Sequence, residues 1–207
     1  GTVGSAPPRV ILEGPHNYHP IHWASDGTLL LHAYATGGGA DDLDLYLLAP
    51  GEEATPQPLI VSRGFQAQGQ FSPDAQWIAY TSNESGRSEV YVRPRDGRAL
   101  QWQISAEGGA QPRWRGDGRE IFYVSLDGTL TAVPVTLSPD DVTAGVPVPL
   151  FTEPTLRTNN NVFYYGGAAA YDVTPDGKRF LVNFKSNEQR EGDMLAALER
   201  SPARRKE

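Results

Sequence analysis

The sequence predicts an all-β fold, a β-propeller with four blade repeats. The first observation is a turn motif that recurs four times, most fully between Phe71 and Tyr80, where it reads FSPDAQWIAY. The second is its spacing: the turn aspartates Asp26, Asp74, Asp117 and Asp176 recur at intervals of roughly 40 to 60 residues, and propeller blades typically repeat every 40 to 50. The third is the high content of glycine (22) and proline (17), which suits many short strands joined by turns.

Each copy of the motif is interpreted as a strand, a tight reversal and a second strand. Proline fixes φ at the first corner, the aspartate accepts hydrogen bonds from the amides of its own turn, and glycine takes the position of positive φ. The four aspartates are therefore predicted to cap turns and not to act as acids or metal ligands. Ala75 replaces the glycine of the second copy, which predicts a strained turn or one of another type.

The apolar runs between turns predict the strands of the blades. Blade one is predicted to hold strands within 15–23, 29–34, 44–48 and 58–61, and blade two within 68–71, 77–82, 89–93 and 101–104. Blade three is predicted at 111–114, 120–124, 129–135 and 148–151, with a hairpin at Leu126-Asp127-Gly128. Blade four is predicted at 171–173 and 179–184. For 193–200 both a strand and a short helix are open, and Met194, Leu195 and Leu198 favour the helix slightly.

Closure of the ring is left with three alternatives, one of which is that the chain is the last part of a longer propeller. Arg9–Leu12 reads as an outer strand that lacks a blade, so it could complete blade four and close a small ring. Alternatively, the four blades form half of a larger ring that a second chain completes, as a homodimer. Residues 1–8 read as a linker or cloning remnant, 9–200 as the propeller and 201–207 as a charged tail.

Composition excludes several classes of function. A net charge of −7 argues against a nucleic-acid partner. No apolar run approaches the roughly 20 residues of a membrane-spanning helix, so membrane insertion is not expected. The absence of cysteine rules out disulfides and thiolate metal ligands but leaves the compartment open.

At these motifs the chain resembles the TolB-like, WD-type β-propeller repeat family. Phe71–Thr81 matches its Trp/Phe-Ser-Pro-Asp-Gly-x-x-Ile/Leu-Ala-Tyr pattern except at Ala75, while Trp23–Tyr34 and Trp114–Val124 match in part. Residues 89–94, 111–114 and 171–183 look like the C-terminal propellers of bacterial kinase-like and regulatory proteins. The resemblance implies a sensor, scaffold or gating domain and suggests a bacterial extracytoplasmic location, while the compartment itself stays unknown. The repeat also precedes the catalytic domain of prolyl-oligopeptidase-type enzymes, but neither a kinase motif nor Gly-x-Ser-x-Gly occurs here.

The predicted channel mouth is the first candidate site. Aligning the blades places His22, Gln70, Arg113 and Asp172 at one level of the innermost strands. The full predicted ligand-binding set is polar and of mixed charge: His22, Gln68, Gln70, Gln111, Arg113, Tyr171 and Asp172. Such a set suits a small polar ligand, a peptide end or a sugar. The loop from Glu153 to Gly167, with Asn159–Asn161 and Phe163–Tyr165, is a second candidate surface for recognition.

A metal site is a further hypothesis, because all four histidines fall between residues 16 and 32. His16, His19 and His22 could hold a divalent metal, with Asp172 as a further partner for His22. Spacing by three in an extended segment directs side chains to alternating faces, which argues against it, and no cofactor is otherwise expected.

Two functions follow from these residues. The first is a non-enzymatic recognition or scaffold module that binds a protein or a small polar ligand at the channel mouth. The second is a hydrolase that acts at the same mouth with histidine-bound metal or inward carboxylates.

Overall fold

The computed structural model describes residues 12, 14–35, 43–51, 54–157, 170–185 and 193–200. These residues form four antiparallel sheets in chain order, as the repeats predict. Blade one contains β1 (His16–Trp23), β2 (Leu29–Ala35), β3 (Asp44–Leu48) and β4 (Gln57–Ile60). Blade two contains β5 (Gln66–Phe71), β6 (Trp77–Ser82), β7 (Glu89–Pro94) and β8 (Trp102–Gln103).

Blade three contains β9 (Ala110–Trp114), β10 (Glu120–Val124), β11 (Thr129–Ser138), β12 (Asp141–Ala144) and β13 (Val148–Thr152). The ten-residue β11 pairs with β12 along its second half and with β13 along its first half. A 3₁₀ turn at Pro154–Leu156 follows. Blade four contains β14 (Tyr171–Val173), β15 (Arg179–Lys185) and β16 (Asp193–Glu199).

The four repeat aspartates cap their own turns, which confirms the structural interpretation. The Oδ1 atoms of Asp26, Asp74, Asp117 and Asp176 each accept the amide of the residue two positions later, at 2.9 to 3.1 Å. Ala75 adopts φ 57°, the left-handed conformation that Gly118 adopts at 71° and Gly177 at 70°. The turn therefore keeps the geometry of the repeat, and a residue with a Cβ carries the strain that glycine avoids.

Sheet faces pack blade against blade, and hydrophobic clusters fill three interfaces between blades. Leu30 and Leu45 of blade one meet Ile78 and Tyr80 of blade two. Val90 and Val92 of blade two meet Trp114 and Ile121 of blade three, and Phe122 of blade three meets Phe180 of blade four. Within the described residues no such cluster joins blade four to blade one. Among the described residues, the array therefore has three covered blade interfaces and one seam, between blades four and one, without such a cluster.

Most predicted strands are confirmed, and the prediction for 193–200 is wrong in its preference for a helix. All seven residues of β16 pair with β15, from Asp193 opposite Lys185 to Glu199 opposite Arg179. Backbone pairing with a formed strand outweighs the weak helical spacing of the apolar residues. The hairpin of β11 and β12 was not predicted at all.

Several predictions lie outside the described residues. They concern residues 9–11 of the outer strand, the recognition loop at 159–165 and the terminal segments 1–8 and 201–207. Within the part of the chain that the structure describes, no helix has the length and apolar character needed to cross a bilayer.

Candidate functional site

The innermost strands of the four blades meet at two adjoining cavities, about 400 and 360 Å³ in volume, which we call the axial pocket. Four residues line both cavities: His22, Gln70, Arg113 and Asp172. Each precedes the turn aspartate of its blade by four positions. The repeat register therefore explains why one residue from every blade reaches the same place.

Arg113 supplies the positive charge of the axial pocket. Its Nη1 donates to the Pro112 carbonyl at 2.8 Å, and its guanidinium carbon lies 5.8 Å from the centre of the Tyr171 ring. An Asp172 carboxylate oxygen is 3.9 Å from Nε, too long for a hydrogen bond. The Arg113 side chain is 14% exposed and that of Asp172 is 77% exposed. A largely buried cation thus faces a solvent-exposed counter-ion.

His22 is held as a neutral hydrogen-bond donor toward the pocket. Its Nδ1 accepts the backbone amide of Phe71 at 2.9 Å. In the neutral ring the proton is therefore assigned to Nε2. Burial lowers the pKa of His22, and Arg113 lowers it further, while Asp172 acts in the opposite direction.

Tyr171 contributes its ring and not its hydroxyl to the site. The hydroxyl donates to the Gln111 carbonyl at 2.9 Å, and burial raises the pKa of this phenol above its usual range. The ring forms one wall beside Arg113. Tyr171 therefore fixes the guanidinium and stays protonated.

Gln68 and Gln111 do not line the axial pocket, although the sequence placed them in the binding set. Both have positive φ, 57° and 58°, where β5 and β9 bulge. The Gln68 Oε1 accepts the amide of Gln111 at 2.9 Å, and the Gln111 Oε1 accepts the amide of Ala170 at 2.7 Å. Their side-chain carbonyls thus link blade two to three and blade three to four, and we call these two contacts the glutamine links.

The three histidines of the metal hypothesis have different neighbours. The Nδ1 of His16 is 3.4 Å from the Tyr18 hydroxyl. The His19 ring lies 5.3 Å from that of His32, and His22 bonds to Phe71. Among the described residues, no group of three or more His, Cys, Asp or Glu side chains is placed to hold a metal ion. Metal binding by His16, His19 and His22 stays a prediction, which metal analysis of purified protein tests.

The buried carboxylate of Glu89 has a structural role. Glu89 is at the start of β7 and is buried. It accepts hydrogen bonds from Arg87 Nε, Ser105 Oγ and the amide of Gly108. These partners fix the segment that leads from blade two into blade three, so the charge is compensated without a ligand.

Sequence reasoning missed Trp23, Leu181 and Asn183. Trp23 lines the larger cavity, and Leu181 and Asn183 line the smaller one. Trp23 and Leu181 belong to apolar positions of the repeat, which normally signal core. Only their exposure distinguishes them, and exposure is a property of the assembled blades.

Comparisons with solved structures give the fold. An oligogalacturonate lyase in complex with manganese has a TM-score of 0.53 and 14% identity over 89% of this chain and 48% of that one. A puromycin-hydrolysing peptidase of Mycobacterium tuberculosis has a TM-score of 0.50 and 18% identity over 82% of this chain and 28% of that one. The putative TolB of Agrobacterium tumefaciens has a TM-score of 0.46 and 20% identity over 65% and 50% of the two chains.

The chain thus spans half or less of the length of these three proteins. No protein-family model matches the sequence, and comparison with curated protein sequences gives no match. The fold is a β-propeller array.

Proposed function

We propose that this chain is a recognition module whose axial pocket binds the carboxylate of a small polar ligand or a peptide end. The observation that carries the proposal is Arg113, a largely buried arginine without a close carboxylate hydrogen bond. Burying a guanidinium is costly unless an anion compensates its charge. A carboxylate ligand would supply two parallel hydrogen bonds to its planar fork.

The neighbouring side chains support the same ligand chemistry. The neutral His22 offers an Nε2–H donor, and the Gln70 side chain offers an amide beside it. Asp172 is exposed enough to turn away from Arg113 and accept a donor of the ligand. The pocket therefore combines two donors and a cation for the carboxylate with one acceptor for an adjacent N–H or O–H.

Titration followed by ¹H–¹⁵N NMR tests this function, with acetate and glycine as probes. We expect shifts of the amides around the axial pocket, and Arg113→Gln should weaken binding about tenfold to a hundredfold, as for a lost charged hydrogen bond. Arg63→Gln is the matched control, because Arg63 is exposed in the loop before β5, at the opposite end of that strand from Gln70. If Arg63→Gln weakens binding as much, the effect is one of net charge and the proposal fails.

The hydrolase alternative is tested with the same samples. Turnover of an ester or amide probe, lost in His22→Gln, would identify the pocket as catalytic. Binding without turnover favours the recognition module. Metal content measured in the same preparations tests the metal version of the hydrolase.

A further inference from the structure

The seam between blades four and one leaves apolar side chains exposed that are buried elsewhere in the repeat. Trp23 follows His22 as Trp114 follows Arg113, yet Trp23 is 67% exposed and Trp114 is 9% exposed. Leu181 pairs with Asp172 as Phe122 pairs with Arg113. Leu181 is 46% exposed and Phe122 is fully buried. In the other blades these positions are covered by the neighbouring blade.

Both exposed side chains border the axial pocket. Trp23 lines one of its cavities, and Leu181 lines the other together with Asn183. The pocket therefore extends from the polar centre at Arg113 toward the seam, where its walls are apolar. A ligand that fills it needs a carboxylate at one end, an apolar group beside it and polar atoms that Asn183 and Asp172 can bond.

We infer that the axial pocket binds the C-terminus of a protein or peptide whose last residue is apolar. This rests on the proposed function, because the terminal carboxylate is assigned to Arg113. The last side chain packs against Leu181 and Trp23. The last peptide N–H donates a hydrogen bond to the Asp172 carboxylate or to the side-chain carbonyl of Asn183. The C-terminal residue of a chain places a carboxylate, an apolar side chain and an amide N–H around a single carbon atom, which matches the three parts of the pocket.

The charge and the apolar walls of the pocket favour a peptide C-terminus over two other occupants, a sugar and a second copy of this chain. A sugar would match the exposed tryptophan and polar groups but not the aliphatic Leu181 wall. A second copy of the chain would cover Trp23 and Leu181 and would give a dimer in solution. Binding measurements distinguish a sugar from the peptide, and the mass in solution detects a second copy of the chain.

The experiment compares three acetylated peptides by calorimetry: Gly-Gly-Leu as the free acid, the same peptide as the C-terminal amide, and Gly-Gly-Gly as the free acid. We expect the leucine acid to bind about tenfold to a hundredfold more tightly than the glycine acid, because it buries an additional apolar side chain. The amide should lose about tenfold or more. Arg113→Gln should weaken both acids equally.

Leu181→Ala and Trp23→Ala should each reduce the preference for leucine over glycine, measured as the ratio of the two affinities in the same variant. Both side chains are exposed, so their removal leaves the fold intact. Val146→Ala, at a site 81% exposed in blade three, is the control and should change neither affinity.

The outcomes separate the two proposals. If the glycine acid binds through Arg113 but leucine gives no gain, the inference is overturned and the proposed function stands. If no acid binds, or Arg113→Gln has no effect, the function itself fails. Sedimentation that shows a dimer, converted to monomer by Trp23→Ala, would assign the seam to a second copy and overturn the inference.

Discussion

The three covered blade interfaces and the open seam are built from the same repeat positions, yet they differ in what those positions do. Trp114 and Phe122 are buried between blades, whereas Trp23 and Leu181 at the same positions are exposed. Burial of the repeat aromatic is therefore not a property of the motif. It depends on whether a neighbouring blade is present.

The glutamine links add polar contacts at two of the three covered interfaces. Gln68 and Gln111 each lie two positions before the pocket residue of their blade, and each has a hydrogen bond to the next blade. The corresponding residues beside the seam are Pro20 and Ala170. Proline has no N–H to donate to a glutamine oxygen, and alanine has no side-chain carbonyl to accept from the next blade. The sequence thus omits this link at the seam, and Pro20, which also lacks a side-chain carbonyl, omits it between blades one and two as well.

The largest expected effect comes from replacing each of the two tryptophans, Trp114 and Trp23, by alanine. Trp114→Ala should lower the free energy of unfolding by about 3–5 kcal/mol, because it removes a buried ring between blades two and three. Trp23→Ala should change it by about 0.5 kcal/mol or less. Chemical denaturation followed by circular dichroism measures both. Equal losses would mean that the seam is covered in solution, and a loss for Trp23→Ala that grows with protein concentration would favour the homodimer.

The free energy of unfolding should also fall in acid, because a histidine is buried on the covered face of blade one. His32 lies between Leu30 and Tyr34 on the side of β2 that packs against blade two, and its ring neighbours His19. Burial lowers the pKa of His32 to about 4, with His19 contributing. Because the unfolded chain takes up this proton first, near pH 6.5, stability is complete above that pH and falls as the pH drops toward 4.

The expected loss from His32 is about 2–3 kcal/mol over that interval. Denaturation curves at a series of pH values measure it, and His32→Leu should make the dependence shallower. Asn17→Leu, at an exposed position of β1 without a titratable group, is the control and should leave the dependence as it is. An unchanged pH profile in His32→Leu would contradict the prediction.

The smallest effect distinguishes the two glutamine links. Gln111→Ala leaves the buried amide of Ala170 without its acceptor and should cost about 1–3 kcal/mol. Gln68→Ala should cost less, because it leaves only the Thr81 hydroxyl, which donates to Gln68 Oε1 at 2.9 Å, without that acceptor, while the amide of Gln111 keeps the Thr81 hydroxyl as an acceptor at 3.1 Å. Both residues keep their positive φ when changed to alanine, so the pair isolates the side-chain contact. A larger loss for Gln68→Ala would contradict this order.

The fold could be predicted because its signals are local. Turn chemistry around Asp26, Asp74, Asp117 and Asp176 repeats in the sequence, and each carboxylate bonds an amide two residues away. The register that brings His22, Gln70, Arg113 and Asp172 to one cavity follows from the same repeats. The strand β16 could not be predicted, since its pairing with β15 depends on a neighbouring strand.

Four antiparallel blades with capped turns can be inferred from the sequence, and so can the position of the pocket residue in each blade. All of these depend on contacts between residues close in the chain. The tertiary structure decided which apolar positions become core and which border the pocket. Trp23 and Trp114 occupy the same place in the repeat, and only the packing of one blade on the next buries one of them. Burial of a repeat position depends on the adjacent blade, and the motif of one blade does not specify what packs against it.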